Sequence, residues 1–429
     1  MTVDLALLFG VMLVAMAIGM PVFLAMALSA GTYWLVFPAK LPLAIIGQTF
    51  AQGIDSYTFA AIPFFFLAGE VMNTGGISRR LLRLARAALG HVKGGLAHVN
   101  IVTNMIFAGV SGSAVADASA VGAVMIPAMK KEGYPAEYAA AVTAAAATIG
   151  PVIPPSIPMV IFGLLASTSI GKLFIGGVVP GVLMGVFLLV ASWLLAHRRK
   201  FPAGRWQGWG ELLAASVDAA LAIFTPFIVV AGLVLGVATT TEIGAVAALY
   251  AMAVSVLVYR ELGVRGLWDA LCKSAIDSAA VLAMASVAGI FTWLLANLGV
   301  GKALAGWVGG MTHDPTLVLL LIALVLLLAG TVLEPVTTLL VLVPLMIPLV
   351  ASLGIDMTHF GLIVVIATCI GLLLPPIGFL IYLTAAQAGC GVMPLVRELV
   401  PFVAALILLL LLIVVFPQLV LVLPNLVMR

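Results

Sequence analysis

Two short segments concentrate oxygen-bearing and backbone-loosening residues inside the otherwise apolar sequence of this 429-residue chain. The first runs Gly109-Val110-Ser111-Gly112-Ser113 and on to Asp117; the second runs Gly330-Thr331, then Glu334-Pro335, and on to Thr337-Thr338. Each brings together hydroxyls, glycine-freed backbone carbonyls and one carboxylate. A hard cation such as sodium wants about five or six such oxygens, supplied by unwound backbone and Ser/Thr side chains. Ser111, Gly112 and Ser113 are the candidate ligands of one site, facing the backbone from Gly150 to Pro154. Gly330, Thr331, Thr337 and Thr338 are the matching set, facing Gly371 to Pro375. Asp117 and Glu334 are acids inside membrane segments, where ionisable side chains point to function. They either strengthen a cation site or orient the tip by accepting backbone N–H bonds. At least two sodium ions, one per tip, follow.

Small residues in apolar helices also serve close packing. Recurrence favours ligation here. Gly109, Met125, Ile126, Pro127, Gly133, Ile149, Gly150, Pro154, Pro155 and Pro180 meet Gly330, Met346, Ile347, Pro348, Gly354, Ile370, Gly371, Pro375, Pro376 and Pro401 at one constant offset, without a gap. Glycines and paired prolines interrupting apolar helices at matching places in two halves mark a secondary transporter with its site at the repeat interface. Each repeat core, 95–170 and 316–388, therefore reads as a re-entrant helical hairpin followed by one broken helix. The break from Pro151 to Pro158 frees carbonyls and offers Ser156, so it either holds substrate or kinks a helix. Candidate substrate contacts are Ser113, Pro155, Ser156, Thr338 and Pro376.

Composition sets the class. With 64% hydrophobic and 8% charged residues, the chain cannot cover a soluble globule with polar side chains; it is an all-α polytopic membrane protein. A net charge of +3, with no basic run beyond His197-Arg198-Arg199-Lys200, argues against nucleic acid. Cys272, Cys369 and Cys390 have neither metal-ligand nor disulfide spacing and read as buried free thiols. His91, His98, His197, His313 and His359 cluster nowhere, so no metal other than sodium is assigned. The first apolar run, 5–36, exceeds a signal-peptide core and is expected to stay as an uncleaved helix. Ordinary spans are expected near 5–36, 59–77, 173–196, 219–237, 243–259, 276–298 and 399–424.

Charge distribution orients these elements. If hairpin 95–129 enters and leaves on one face, 15 of the 19 Lys/Arg fall on one side, among them Arg79, Arg80, Arg83, Arg86, Lys130, Lys131 and Arg205. That side is cytoplasmic by the positive-inside rule. The second hairpin, 316–350, then enters from the periplasmic side, and the repeats are inverted. Ile77 to Val92 and Glu261 to Ala275 carry charges beside leucines or at i,i+4 spacing and read as interfacial arms.

These residues resemble the large membrane subunit of tripartite ATP-independent periplasmic (TRAP) transporters, including sialic acid and C4-dicarboxylate members. The likeness rests on GVSGSAVADASAVG, MIPAMKKEGY and AATIGPVIPPSIPMVIFG in the first repeat, and on LEPVTTLLVLVPLMIP, GIDMTHFG and IGLLLPPIG in the second. Leu374 stands where the family commonly shows Thr, which removes a side-chain ligand there but no backbone carbonyl. The resemblance implies an elevator-type, sodium-driven importer of a small carboxylate in the bacterial inner membrane. A periplasmic solute-binding protein would deliver substrate, and a small membrane subunit of about four helices would enlarge the scaffold. No such segment precedes Met1, so that subunit is expected as a separate chain. The division implied is scaffold helices and an arm (1–94), first transport repeat (95–170), scaffold helices and second arm (171–315), second transport repeat (316–388) and a last scaffold helix (389–429). Two other classes compete. Gly109-Val110-Ser111-Gly112 matches the GxSG pattern of intramembrane serine proteases, which need a histidine partner, and an ion channel would need a continuous pore.

Overall fold

The computed structural model describes the chain except residues 1, 39–41, 56, 205, 302, 304, 305, 307–309, 311, 313 and 429. Arg205 and His313 thus lie outside the described residues. The described elements are helical, apart from an isolated bridge between Lys93 and Ala203.

Before the first repeat come α1 (Thr2–Ala17), α2 (Val22–Val36), α3 (Leu43–Gln52), α4 (Ala61–Thr74) and α5 (Ile77–Leu89). The expected single span 5–36 is instead an antiparallel pair of helices. Gly19 and Pro21 end one helix and start the next; Ser29 Oγ donates to Leu8 O and the Tyr33 hydroxyl to Asp4 Oδ1 at 3.0 Å. Uniform hydrophobicity hid this turn. With 16, 15 and 14 residues, α1, α2 and α4 are all shorter than 18 residues. Six described helices are long and apolar enough to cross a membrane.

Helix α5 buries Ile77, Leu81, Ala85 and Ala87 and turns its arginines toward acidic partners. Arg80 pairs with Asp218 at 3.0 Å and Glu261 at 2.8 Å, and lies over the Tyr259 ring; Arg83 pairs with Glu211 at 2.7 Å. Burial by itself lowers the Arg80 pKa, but the hydrogen bonds and charges of Glu261 and Asp218 outweigh it and hold the guanidinium above its ordinary value.

The first repeat is α6 (Gly95–Ser111), α7 (Ala114–Lys131), α8 (Ala136–Ala147), α9 (Ile157–Leu165) and α10 (Ile170–Arg199). Then follow α11 (Trp209–Val234), α12 (Thr240–Ala253, continued by a π turn over Val254–Val258) and α13 (Val264–Asn297). The second expected arm, Glu261 to Ala275, is no separate element. It forms the start of α13, which spans 34 residues, about 51 Å at 1.5 Å per residue, with no proline to stop it. The Lys273 ammonium pairs with Glu70 of α4 at 2.7 Å. Cys272, expected to be buried, is exposed on this helix.

The second repeat is α14 (Pro315–Gly330), α15 (Pro335–Ser352), α16 (Met357–Gly371), α17 (Phe379–Ala388) and α18 (Val392–Val415), followed by α19 (Gln418–Val427). The expected span 399–424 is therefore interrupted, at Phe416-Pro417. At the offset that carries Gly109 to Gly330, Ala114–Lys131 falls on Pro335–Ser352, and the cis peptide Pro154–Pro155 falls on cis Pro375–Pro376. Local chemistry sets these boundaries. Ser113, Ser156, Asp314 and Asp356 each accept a backbone N–H as N-caps, while the prolines cannot continue a helix that precedes them.

The repeats interlock reciprocally. Hairpin α6–α7 lays its second arm on α17, the helix after the second break, and hairpin α14–α15 lays its second arm on α9, the helix after the first. Each tip meanwhile sits on its own repeat's break.

Candidate cation and substrate site

At the first tip the chain turns through Gly112 in the left-handed region, φ +62°. A Cβ there would come within 2.6 Å of the Pro155 carbonyl oxygen, so only glycine lets the tip settle on the break. Ser113 caps α7 by accepting the Ala116 N–H at 3.4 Å. The Ser111 hydroxyl donates to Asp117 Oδ1 and accepts the Ser113 N–H at 3.2 Å. Asp117 is fully buried, with Oδ2 in the space a side chain on Gly150 would fill and no protein hydrogen-bond partner. Ser111, Gly112, Ser113, Asp117, Gly150, Pro154 and Pro155 therefore meet in one place. Ser156 is a buried cap: it donates to Pro151 O and accepts the Met159 N–H at 3.3 Å. That explains its local role without a ligand.

The second tip makes its contact through backbone. A Cβ on Gly371 would lie 2.6 Å from the Gly330 Cα, and one on Gly330 would lie 2.8 Å from Thr368 O. The Gly378 N–H donates to Thr331 O at 2.9 Å, tying tip to break. Thr331, Thr337 and Thr338 are buried, and their hydroxyls donate to Leu328 O, to Glu334 Oε1 or Met284 Sδ, and to Glu334 O. Glu334 occupies the N-cap position of α15 and is exposed, as are Pro375 and Pro376. The two acids thus differ in environment. Neither tip carboxylate takes a described backbone N–H; both accept hydroxyls, so the expected N–H orientation of the tips is replaced by Ser111 and Thr337.

Several contacts at this core had no counterpart in the sequence reading. Gly122 of α7 leaves room for the Gln387 amide, whose Nε2 donates to Ser119 O, and Lys130 Nζ donates to Ala388 O at 2.7 Å. Gly177 and Gly181 of α10 admit the Val152 carbonyl and Ile153 side chain. Their only signal was glycine spacing in α10 and an amide in an apolar helix. Among the described residues, the Ser111 hydroxyl bonds Asp117 and Ser113, while His98 bonds Gly94 O at the opposite end of α6, about 20 Å away by helix rise.

Two hairpin tips seated on two breaks, with six described helices long and apolar enough to cross a membrane, mark a multi-pass membrane protein. The chain belongs to the family described as tripartite ATP-independent periplasmic transporter, DctM component, whose model matches residues 9–419. Among its relatives is the 2,3-diketo-L-gulonate TRAP transporter large permease protein YiaN of Escherichia coli, 36% identical over 96% of this chain and 97% of that one. The sialic acid TRAP transporter large permease protein SiaM of Vibrio cholerae is 35% identical over 96% of both chains. The crystal structure of the YdaH transporter of Alcanivorax borkumensis shares the fold, with a TM-score of 0.60 at 17% identity over 88% of this chain and 89% of that one.

Proposed function

We propose that this chain is the large permease subunit of a sodium-coupled importer for a small organic acid, of the sialic acid or C4-dicarboxylate kind, working by elevator-type alternating access in the bacterial inner membrane. One observation carries the reading: two tip-and-break units pack reciprocally, each bringing hydroxyls and unwound carbonyls to one place. In such a unit Ser111, Ser113, Asp117 and the carbonyls near Gly150 and Pro154 hold one cation, and Thr331, Thr337, Thr338 and the carbonyls near Gly371 and Pro375 hold another. Substrate lies between the tips and the breaks, near Ser113, Pro155, Ser156, Thr338 and Pro376, its carboxylate offset by the bound cations. The α6–α7 and α14–α15 hairpins are re-entrant and face opposite sides, so the repeats are inverted; hairpins and broken helices form the moving body. A small membrane subunit and a periplasmic solute-binding protein complete the assembly, in keeping with the tripartite family.

The test is uptake into proteoliposomes holding this chain, a small subunit and a candidate binding protein, with and without an inward sodium gradient. Gradient-driven uptake that Ser113→Ala or Thr338→Ala abolishes supports paired cation sites. Uptake indifferent to the gradient sinks the reading.

A further inference from the structure

A polar seam runs through the first repeat, and the second repeat has none at the same positions. Asn100, Thr103 and Asn104 of α6 and Thr143 of α8 are all buried. Their counterparts in the second repeat are Leu321, Leu324, Val325 and Val364. Asn100 Nδ2 donates to Thr143 Oγ1 at 2.7 Å, and Asn104 Nδ2 donates to Asn100 O and Oδ1, both at 2.9 Å. Because both acceptors of Asn104 fix its amide orientation, its Oδ1 is an acceptor that no protein group meets. The same holds for Gln387: Nε2 is spent on Ser119 O, and Oε1, lodged over Gly122 beside Thr143 Cγ2, has no protein partner. Thr103 Oγ1 and Asp117 Oδ2 likewise have no protein partner.

These atoms form a ladder. Helices α6 and α8 run in parallel, since Asn100 meets Thr143 and, further along, Gly109 approaches Pro154 O. Asn104 stands one turn beyond Asn100 on α6, on the way from the Asn100–Thr143 bond to the first tip. Thr143 and Gly150 are separated by about 10 Å of helix rise. Each of these buried oxygens lacks a protein partner, and in native interiors ordered water supplies one to such groups. Two amide oxygens fall well short of the five or six that a sodium ion wants, so the occupant is water, not a further cation.

We propose that a short file of buried waters occupies the α6–α8 seam from Asn100–Thr143 to Asp117, hydrating the first-tip carboxylate from inside the core. The file stands independently of the sodium-coupled reading above. Hydroxyl radicals made by a brief X-ray pulse label buried side chains only where bound water lies beside them. Met129, which is fully buried and receives Asn100 Nδ2 at 3.7 Å on its sulfur, reports on the seam; Met26, equally buried in the α1–α2 pair, is the control. In the purified full chain Met129 should oxidise about tenfold faster than Met26. Asn104→Val, which installs the residue found at the matching place of the second repeat, should bring Met129 down to the control rate, and Gln387→Leu should do so in part. Equal rates in the wild-type chain, or fast Met129 labelling that persists in Asn104→Val, overturn the water file. Fast labelling together with gradient-independent uptake leaves the file standing and removes the sodium reading alone.

Discussion

The two tip-and-break units share one backbone frame and differ in what fills it. In the first, a buried carboxylate stands between tip and break, with Asp117 pressed on Gly150 and held by Ser111. In the second, the residue in register with Asp117 is Thr338, and tip meets break as glycine on glycine. The first break is mostly buried; the second exposes Pro375, Pro376 and Ile377. The difference teaches that the repeat keeps a shape while dividing the chemistry: a buried carboxylate fills the first contact, whereas glycine packing and the Gly378 N–H bond to Thr331 O close the second.

The sharpest way to break this contrast is Gly371→Val. Its Cβ would meet backbone rather than a flexible side chain, so α16 and the tip must separate. Overpacking of this kind costs about 3 kcal/mol. A large fall in the thermal midpoint of the purified chain is expected, with uptake abolished; a midpoint near wild type would mean that the second contact is loose. Next comes Asp117. Asp117→Val leaves the Ser111 hydroxyl without its buried acceptor, at a cost of about 1–3 kcal/mol, whereas Asp117→Asn keeps an acceptor there and removes only charge. The Asn variant should retain most of its stability and lose gradient-driven uptake. Equal stability of the two variants would show that charge, not the hydrogen bond, holds the first tip.

How far the sequence foretells this arrangement depends on the kind of signal. Gly112, Ser113 and the Pro-Pro pairs act locally, through allowed backbone angles and missing N–H donors, and the tips and breaks fall where those residues stand. The constant offset between the halves carries the second repeat with the first. Hydrophobicity, by contrast, gives no boundary where everything is apolar, so the α1–α2 turn merged into one span. Charges at the start of α13 report exposure and not a helix end, which is why a continuous helix read as an arm. Partner choice is tertiary. Nothing near Gln387 announces Gly122, and nothing near Asp117 tells that it is fully buried while Glu334 is not.

A smaller effect sharpens the contrast at the caps. The Ser113 hydroxyl accepts the Ala116 N–H, but Glu334, its counterpart, makes no capping bond from the same position. Ser113→Ala should therefore cost about 1 kcal/mol and Glu334→Ala close to nothing. Denaturant titration of the two variants checks this, and equal losses would show that α15 is capped through Glu334 after all.

The smallest expected effect concerns Leu374, which precedes the exposed Pro375–Pro376 pair. Glycine packing and the Gly378–Thr331 bond hold the second contact without the side chain at 374, so Leu374→Thr should move stability by less than about 1 kcal/mol, the range of a partly exposed site. Its value lies in the sodium response. A threonine at this place can offer one more oxygen toward the carbonyls of the break, so the sodium concentration giving half-maximal uptake should fall about twofold while the maximal rate stays within the same range. The same change at Ile153, the matching position of the first break, packs against Gly181 of α10 and leaves no room for a hydroxyl to turn toward the tip. Ile153→Thr should therefore lower stability and leave the sodium response unchanged. A sodium shift from Ile153→Thr and none from Leu374→Thr would reverse the assignment of chemistry to the two units.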